Sequence, residues 1–177
     1  GLLQKQSGLD SKRILSWELA VYDTQKGAIW GAQAEFYSDS QLDNLASCHA
    51  ALQAMLDEAV LNGENTVVCT LFDHEEIGSE SKLGADGSFL PDVLKRIALT
   101  SQADPQDFPR ILAKSFFISA DMAHGYHPNF PNAYDSDHKA MLNKGPAIKV
   151  NSNHRYSSES MSAALLIDWC NQAGVPY

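Results

Sequence analysis

The sequence predicts an α/β fold, a mixed β-sheet with helices on both faces, on three observations. Short β-rich runs recur at 66–72, 115–120 and 146–150. Helical periodicities lie before, between and after them. Polar clusters follow two of the runs directly, where ligands of open α/β sheets collect. The chain has 177 residues, enough for one domain with a single core. Hydrophobic residues make up 44% and charged residues 20%, a composition that argues against disorder. The net charge of −9 argues against nucleic acid or an anionic membrane as the main partner. No apolar run approaches the ~20 residues of a membrane span, and no signal peptide is visible.

The elements follow in chain order. Residues 14–22 carry the alternation Trp17, Leu19, Val21 of a half-buried strand. Asp23-Thr24-Gln25-Lys26-Gly27 is a turn signal, and Ala28 to Trp30 starts a second extended piece, so a hairpin or β corner is expected. From 39 to 62, Leu42, Leu45, Ala46, His49, Leu52, Met55, Leu56 and Ala59 recur at helical steps. Asp39 or Ser40 is the expected cap, and Asn62-Gly63 the stop. The run 66–72 is almost wholly apolar and reads as a central strand buried on both faces. After Asp86-Gly87, Phe89, Leu90, Val93, Leu94 and Ile97 share one helical side, with Pro91 in an early turn. Residues 115–120 read as a short strand and 122–145 as a long loop, a length that is usually functional or mobile. Residues 146–150 read as a strand. Ser157 and Ser158 then open a helix through Met161, Ala164, Leu165, Trp169 and Cys170, with Glu159 in its first turn. Cys48, Cys69 and Cys170 are far apart and form no C-x-x-C pair, which predicts buried free thiols in a reducing compartment and a cytoplasmic location.

The polar clusters carry the chemistry. Asp73-His74-Glu75-Glu76 follows the strand at 66–72, Asp121-Met122-Ala123-His124 follows the strand at 115–120, and the helix at 39–62 opens near Asp43. Carboxylates from separate segments stay ionised together only around positive charge, which a divalent metal pair supplies. A neighbouring carboxylate that is not a ligand can then take a proton from water. A solvated acidic loop is the ordinary alternative for any one such pair. The H-E-x-x-H pattern of single-zinc proteases is not present.

Four strings, Asp43-Asn44-Leu45, the 73–79 block, the 119–129 block and the 143–151 block, closely resemble the aspartyl aminopeptidase family of two-zinc exopeptidases. The resemblance runs from about residue 15 to the end. It implies an incomplete two-zinc aminopeptidase-like catalytic domain over 15–177, with 1–14 the end of a preceding inserted domain or linker. By that resemblance Asp43 bridges two zinc ions, Glu76 and Asp121 each bind one, and Glu75 is the general base. By the same resemblance His124, Lys149 and Tyr156 line the substrate pocket, whereas His127, next to Pro128, reads as a brace for the loop. Lys149 also reads as an outward strand residue and Tyr156 as a core ring with a bonded hydroxyl. The substrates implied are peptides with N-terminal Asp or Glu, or a neutral residue such as Leu, and the longer protein is expected to form homo-oligomers.

Two departures stand out. Gln41 occupies a position where family members commonly carry Arg. Neither of the family's two histidine-ligand motifs occurs in these 177 residues, so the sequence reads as a piece of something longer. Zinc sites usually need about three protein ligands, with His and Cys favoured. The piece alone is therefore expected to bind zinc weakly or not at all and to lack peptidase activity. The alternatives are a catalytically dead homologue or assembly subunit that keeps the fold without metals, and another two-metal hydrolase such as a deacylase.

Overall fold

A computed structural model describes residues 1–101 and 104–177, in two compact units, Gly1–Asp43 and Asn44–Tyr177.

In the first unit, α1 (Leu2–Ser7) ends at Gly8 in the left-handed conformation, and a 3-10 turn follows at Ser11–Arg13, capped by the Asp10 side chain. Leu2, Leu3, Ile14, Trp17 and Leu19 line a shallow apolar hollow. The sheet is an antiparallel pair, β1 (Ala28–Trp30) and β2 (Phe36–Ser38), with Ile29 opposite Tyr37. The hairpin therefore turns at 31–35 rather than at 23–27, and residues 14–22 are not one of its strands. Gly31 at φ +98° supplies the turn geometry, which the signal at 23–27 lacks at the right distance from a pairing partner. Trp30 stacks on Phe36 at 4.7 Å and its Nε1 donates to Ser38 Oγ at 2.6 Å, which pins the register. Tyr37 Oη donates to the Asp39 carboxylate, and this bond raises the phenol's pKa.

The second unit is helical with extended connections. The helix expected over 39–62 divides into α2 (Leu42–Met55) and α3 (Glu58–Leu61). The division lies at Asp57, whose backbone is extended and whose carboxylate accepts from Ala59 N at 2.8 Å. A side chain that caps a new turn competes with continuation of the old one. α4 (Phe89–Thr100) begins as expected. α5 (Asp107–Lys114) has no counterpart among the expected elements, and it packs near α4. α6 (Ser160–Ala173) starts three residues later than expected because Glu159 serves as its N-cap, and the Glu159 backbone N–H donates to the Ser162 hydroxyl oxygen at 3.0 Å.

The expected strands at 66–72, 115–120 and 146–150 are not paired. Among the described residues the sheet is two-stranded, and a sheet with helices on both faces is not assembled. Val67 is 47% and Leu71 59% exposed, so the 66–72 run is not buried on both faces. An apolar run becomes a central strand only where neighbours complete both edges. Phe116 does meet Trp169 of α6 edge-on at 5.1 Å, tying 115–120 to a helix. Ala98 of α4 and Cys170 of α6 are the buried apolar side chains among the described residues. Cys48 is half-buried and Cys69 exposed, so the expectation of buried thiols holds for Cys170 and not for Cys69. No described helix is long and apolar enough to cross a membrane.

Candidate functional site

The paired glutamates sit on a short 3-10 turn, Glu75–Ile77. His74 enters it at φ 62° and Gly78 leaves it at φ 99°, so left-handed residues bracket the pair. A non-glycine residue in that region marks backbone held by its surroundings. Three closures do the holding. Asp73 N donates to Leu83 O at 3.2 Å, Asp86 N donates to Ser79 O at 3.2 Å, and His74 Nδ1 lies 2.6 Å from Ser81 Oγ. Gly84 is buried against the Ser79 backbone so closely that a Cβ there would overlap it. Successive residues of a 3-10 turn point about 120° apart, so the two carboxylates face different directions. Both are exposed.

The second cluster follows 115–120. Lys149 Nζ lies 3.4 Å from Asp121 Oδ2 and 3.5 Å from the Met122 carbonyl oxygen, across 28 and 27 residues of sequence. The same ammonium stands 5.7 Å from the centroid of the Tyr156 ring. The ion pairs at Asp107–Arg110 and Asp135–His138, by contrast, each close within three residues. Both Lys149 and Asp121 side chains are 34% exposed, so the pair itself is worth about 0–1 kcal/mol, and its importance is positional. The structure thus brings together Asp121, Lys149 and Tyr156. His124 lies three residues beyond Asp121 on the same segment and is exposed, and His127 packs against Phe130 at 5.2 Å and accepts from Asn129 N at 3.2 Å.

Asp43 lies at the end of the first unit, at the second position of α2. Gln41, just before that helix, has φ 61°. Asp43, Glu76 and Asp121 offer carboxylate oxygens, which suit divalent ions in kind. Among the described residues no group of three or more His, Cys, Asp or Glu side chains lies close enough to hold an ion. The sequence reading gave no role to Ser81, to the Met122 carbonyl or to Tyr134, whose hydroxyl donates to Gly125 O at 2.7 Å. The signal for Tyr134 was its pairing with Tyr126 in a loop with no apolar period.

The aminopeptidase I zinc metalloprotease (M18) family model matches residues 1–177. The chain belongs to the M18 family. A protein named "Probable M18 family aminopeptidase 2" from Clostridium novyi is 41% identical over 174 residues, which cover 98% of this chain and 40% of that protein. One of the same name from Ectopseudomonas mendocina is 44% identical over 163 residues, covering 92% of this chain and 36% of that protein. The chain spans about two fifths of the length of the curated M18 relatives it matches. Among solved structures, yeast aminopeptidase 1 superposes with a TM-score of 0.79 at 29% identity, over 98% of this chain and 41% of that one. The cryo-EM structure of the Ape4 and Nbr1 complex superposes with a TM-score of 0.78 at 39% identity, over 88% and 30%. The mixture of helices with a small sheet is therefore an M18 arrangement.

Proposed function

We propose that the protein carrying this chain is a metalloaminopeptidase that releases one N-terminal residue from peptides. Membership of a zinc metalloprotease family supports the reaction class. The observation that carries the site is the meeting of Lys149 with Asp121 and Tyr156. It supports assigning metal-ligand and pocket residues to one locality. In this reading Asp43, Glu76 and Asp121 supply oxygen ligands to two zinc ions, which when bound lower the pKa of water and polarise a carbonyl. Glu75 accepts the proton of the attacking water and returns it to the leaving amine. His124 and Tyr156 line the pocket beside Lys149, whose ammonium pairs with an acidic N-terminal side chain. The preferred residue is Asp or Glu, with a neutral residue such as Leu as the alternative. Residues 1–14 close a preceding inserted domain or linker, and 15–177 form part of the catalytic domain. The protein works in the cytoplasm as a homo-oligomer.

Glu75→Gln in the full-length protein is expected to keep its zinc and lose about 10²- to 10⁴-fold in kcat. Near-normal turnover would dismiss the general-base role. Lys149→Ala is expected to slow cleavage of Asp- and Glu-anilides more than of Leu-anilide. An equal loss on all three would reject the role in selectivity.

A second reading is favoured by one observation, Gln41 at a position where family members commonly carry Arg, two residues before Asp43. In it the chain is a catalytically dead homologue or an assembly subunit. In either reading the 177 residues alone bind zinc weakly or not at all and cleave nothing. Emission spectrometry on the dialysed full-length protein distinguishes the readings: two retained ions per chain would exclude the second.

A further inference from the structure

The loop after Asp121 is closed by its own side chains. Tyr126 N donates to Ala140 O at 2.7 Å, and Tyr134 Oη donates to Gly125 O at 2.7 Å. The Tyr126 and Tyr134 rings meet edge-on at 5.3 Å, and Lys139 Nζ stands 4.8 Å from the Tyr126 centroid. Leu142 covers Gly125, where a Cβ would sit 2.6 Å from Leu142 Cδ2. Gly125, Tyr126 and Tyr134 are half-buried, whereas His124, next in the chain, is exposed.

This arrangement solves a mechanical problem. Gly125 is the joint on which His124 hangs, and glycine has the widest backbone freedom of any residue. An exposed imidazole attached to such a joint keeps one orientation only if the joint is tethered. The peptide that follows the joint is held at both edges: its carbonyl oxygen, on Gly125, accepts from the Tyr134 hydroxyl, and its N–H, on Tyr126, donates to Ala140 O, so the plate against which Gly125 turns is fixed. We infer that Tyr134 is a positioning residue that fixes the Gly125 peptide and thereby aims His124 into the substrate pocket. The inference rests on the pocket role proposed for His124. Tyr134 itself touches no reacting atom.

Tyr134→Phe removes the tether and keeps the ring. In the full-length protein it is expected to speed hydrogen exchange at the Tyr126 amide by about 5- to 10-fold, the loss of one net hydrogen bond. KM for the best aminoacyl-anilide should rise about 3- to 10-fold with kcat within about twofold, the pattern of lost substrate binding. The decisive measurement is a double-mutant cycle. In a His124→Ala background, Tyr134→Phe should raise KM no further, because it acts through that imidazole. Leu142→Ala, which opens the same joint and leaves the Tyr134 ring in place, should show the same dependence on His124. An unchanged KM, or an equal rise with and without His124, would overturn the positioning role. Failure of the wild-type protein to cleave any Asp-, Glu- or Leu-anilide would overturn the aminopeptidase reading and the pocket role with it, an outcome separable from active enzyme with no coupling.

Discussion

Two loops of the second unit are held in opposite ways. The loop at 73–87, which carries Glu75 and Glu76, is shaped by its backbone: main-chain closures to Leu83 and Ser79, left-handed residues on each side of the turn, and a buried glycine. The loop at 122–145 is shaped by side chains: two tyrosines, a lysine over one ring, and Leu142 over Gly125. A backbone-built loop tolerates changes to most of its side chains and fails at its glycines. A side-chain-built loop fails where a hydroxyl or a ring is removed. The carboxylates proposed for catalysis thus rest on the first kind of frame, and the histidine proposed for substrate binding on the second.

That contrast is best broken at Gly84. A side chain there meets the Ser79 backbone, which cannot give way as a flexible side-chain tip can. Gly84→Val is expected to cost more than about 2 kcal/mol in denaturant unfolding, at the upper end of ordinary single substitutions. A change below about 0.5 kcal/mol would show that the loop is not backbone-packed. Gly78→Ala is expected to cost about 1–2 kcal/mol, since its φ of 99° lies where L-residues are strained. His74→Gly should work in the other direction and relieve the φ 62° strain, offset by loss of the contact to Ser81. A stability within about 1 kcal/mol of wild type is expected in the same unfolding assay.

The smallest effect belongs to pH. The Asp137 backbone N–H, and after it the His138 side chain, hold the Asp135 carboxyl below the usual carboxylate range. A depressed folded value stabilises the loop above the ordinary pKa of about 4 and loses that support as pH falls through the lower value. Exchange rates in 122–145, corrected for intrinsic pH dependence, should rise modestly as pH falls below about 4.

The sequence was most legible where structure is local. α4 begins with its apolar side as read, α6 runs through the residues expected, and both acidic clusters lie on turns and loops. It was least legible where a distant partner decides, or where one local bond or proline competes with the wider pattern. Trp17, Leu19 and Val21 alternate like a strand yet pair with nothing among the described residues, while Phe36 to Ser38 pairs without an alternation long enough to stand out. Asp57 reads as an ordinary exposed position of a long helix, and only its bond to Ala59 N shows that it starts a new turn. α5 was missed because Pro105 and Pro109 mask a pattern in which Pro109 is tolerated in the first turn. Of the proposed site, residue types and their order are what the four strings offer. The contact of Lys149 with Asp121 and the tether from Tyr134 to Gly125 were not, since neither follows from spacing.

What the sequence by itself determined is the family, the acidic residue types, and helices such as α4 and α6, because these depend on nearest neighbours and on side-chain chemistry. Tertiary structure alone decided which cation meets which carboxylate, which loop is braced by hydroxyl and which by backbone, and which apolar runs find a sheet partner. Those outcomes are contacts made across loops, and their free energy depends on geometry that no local pattern records.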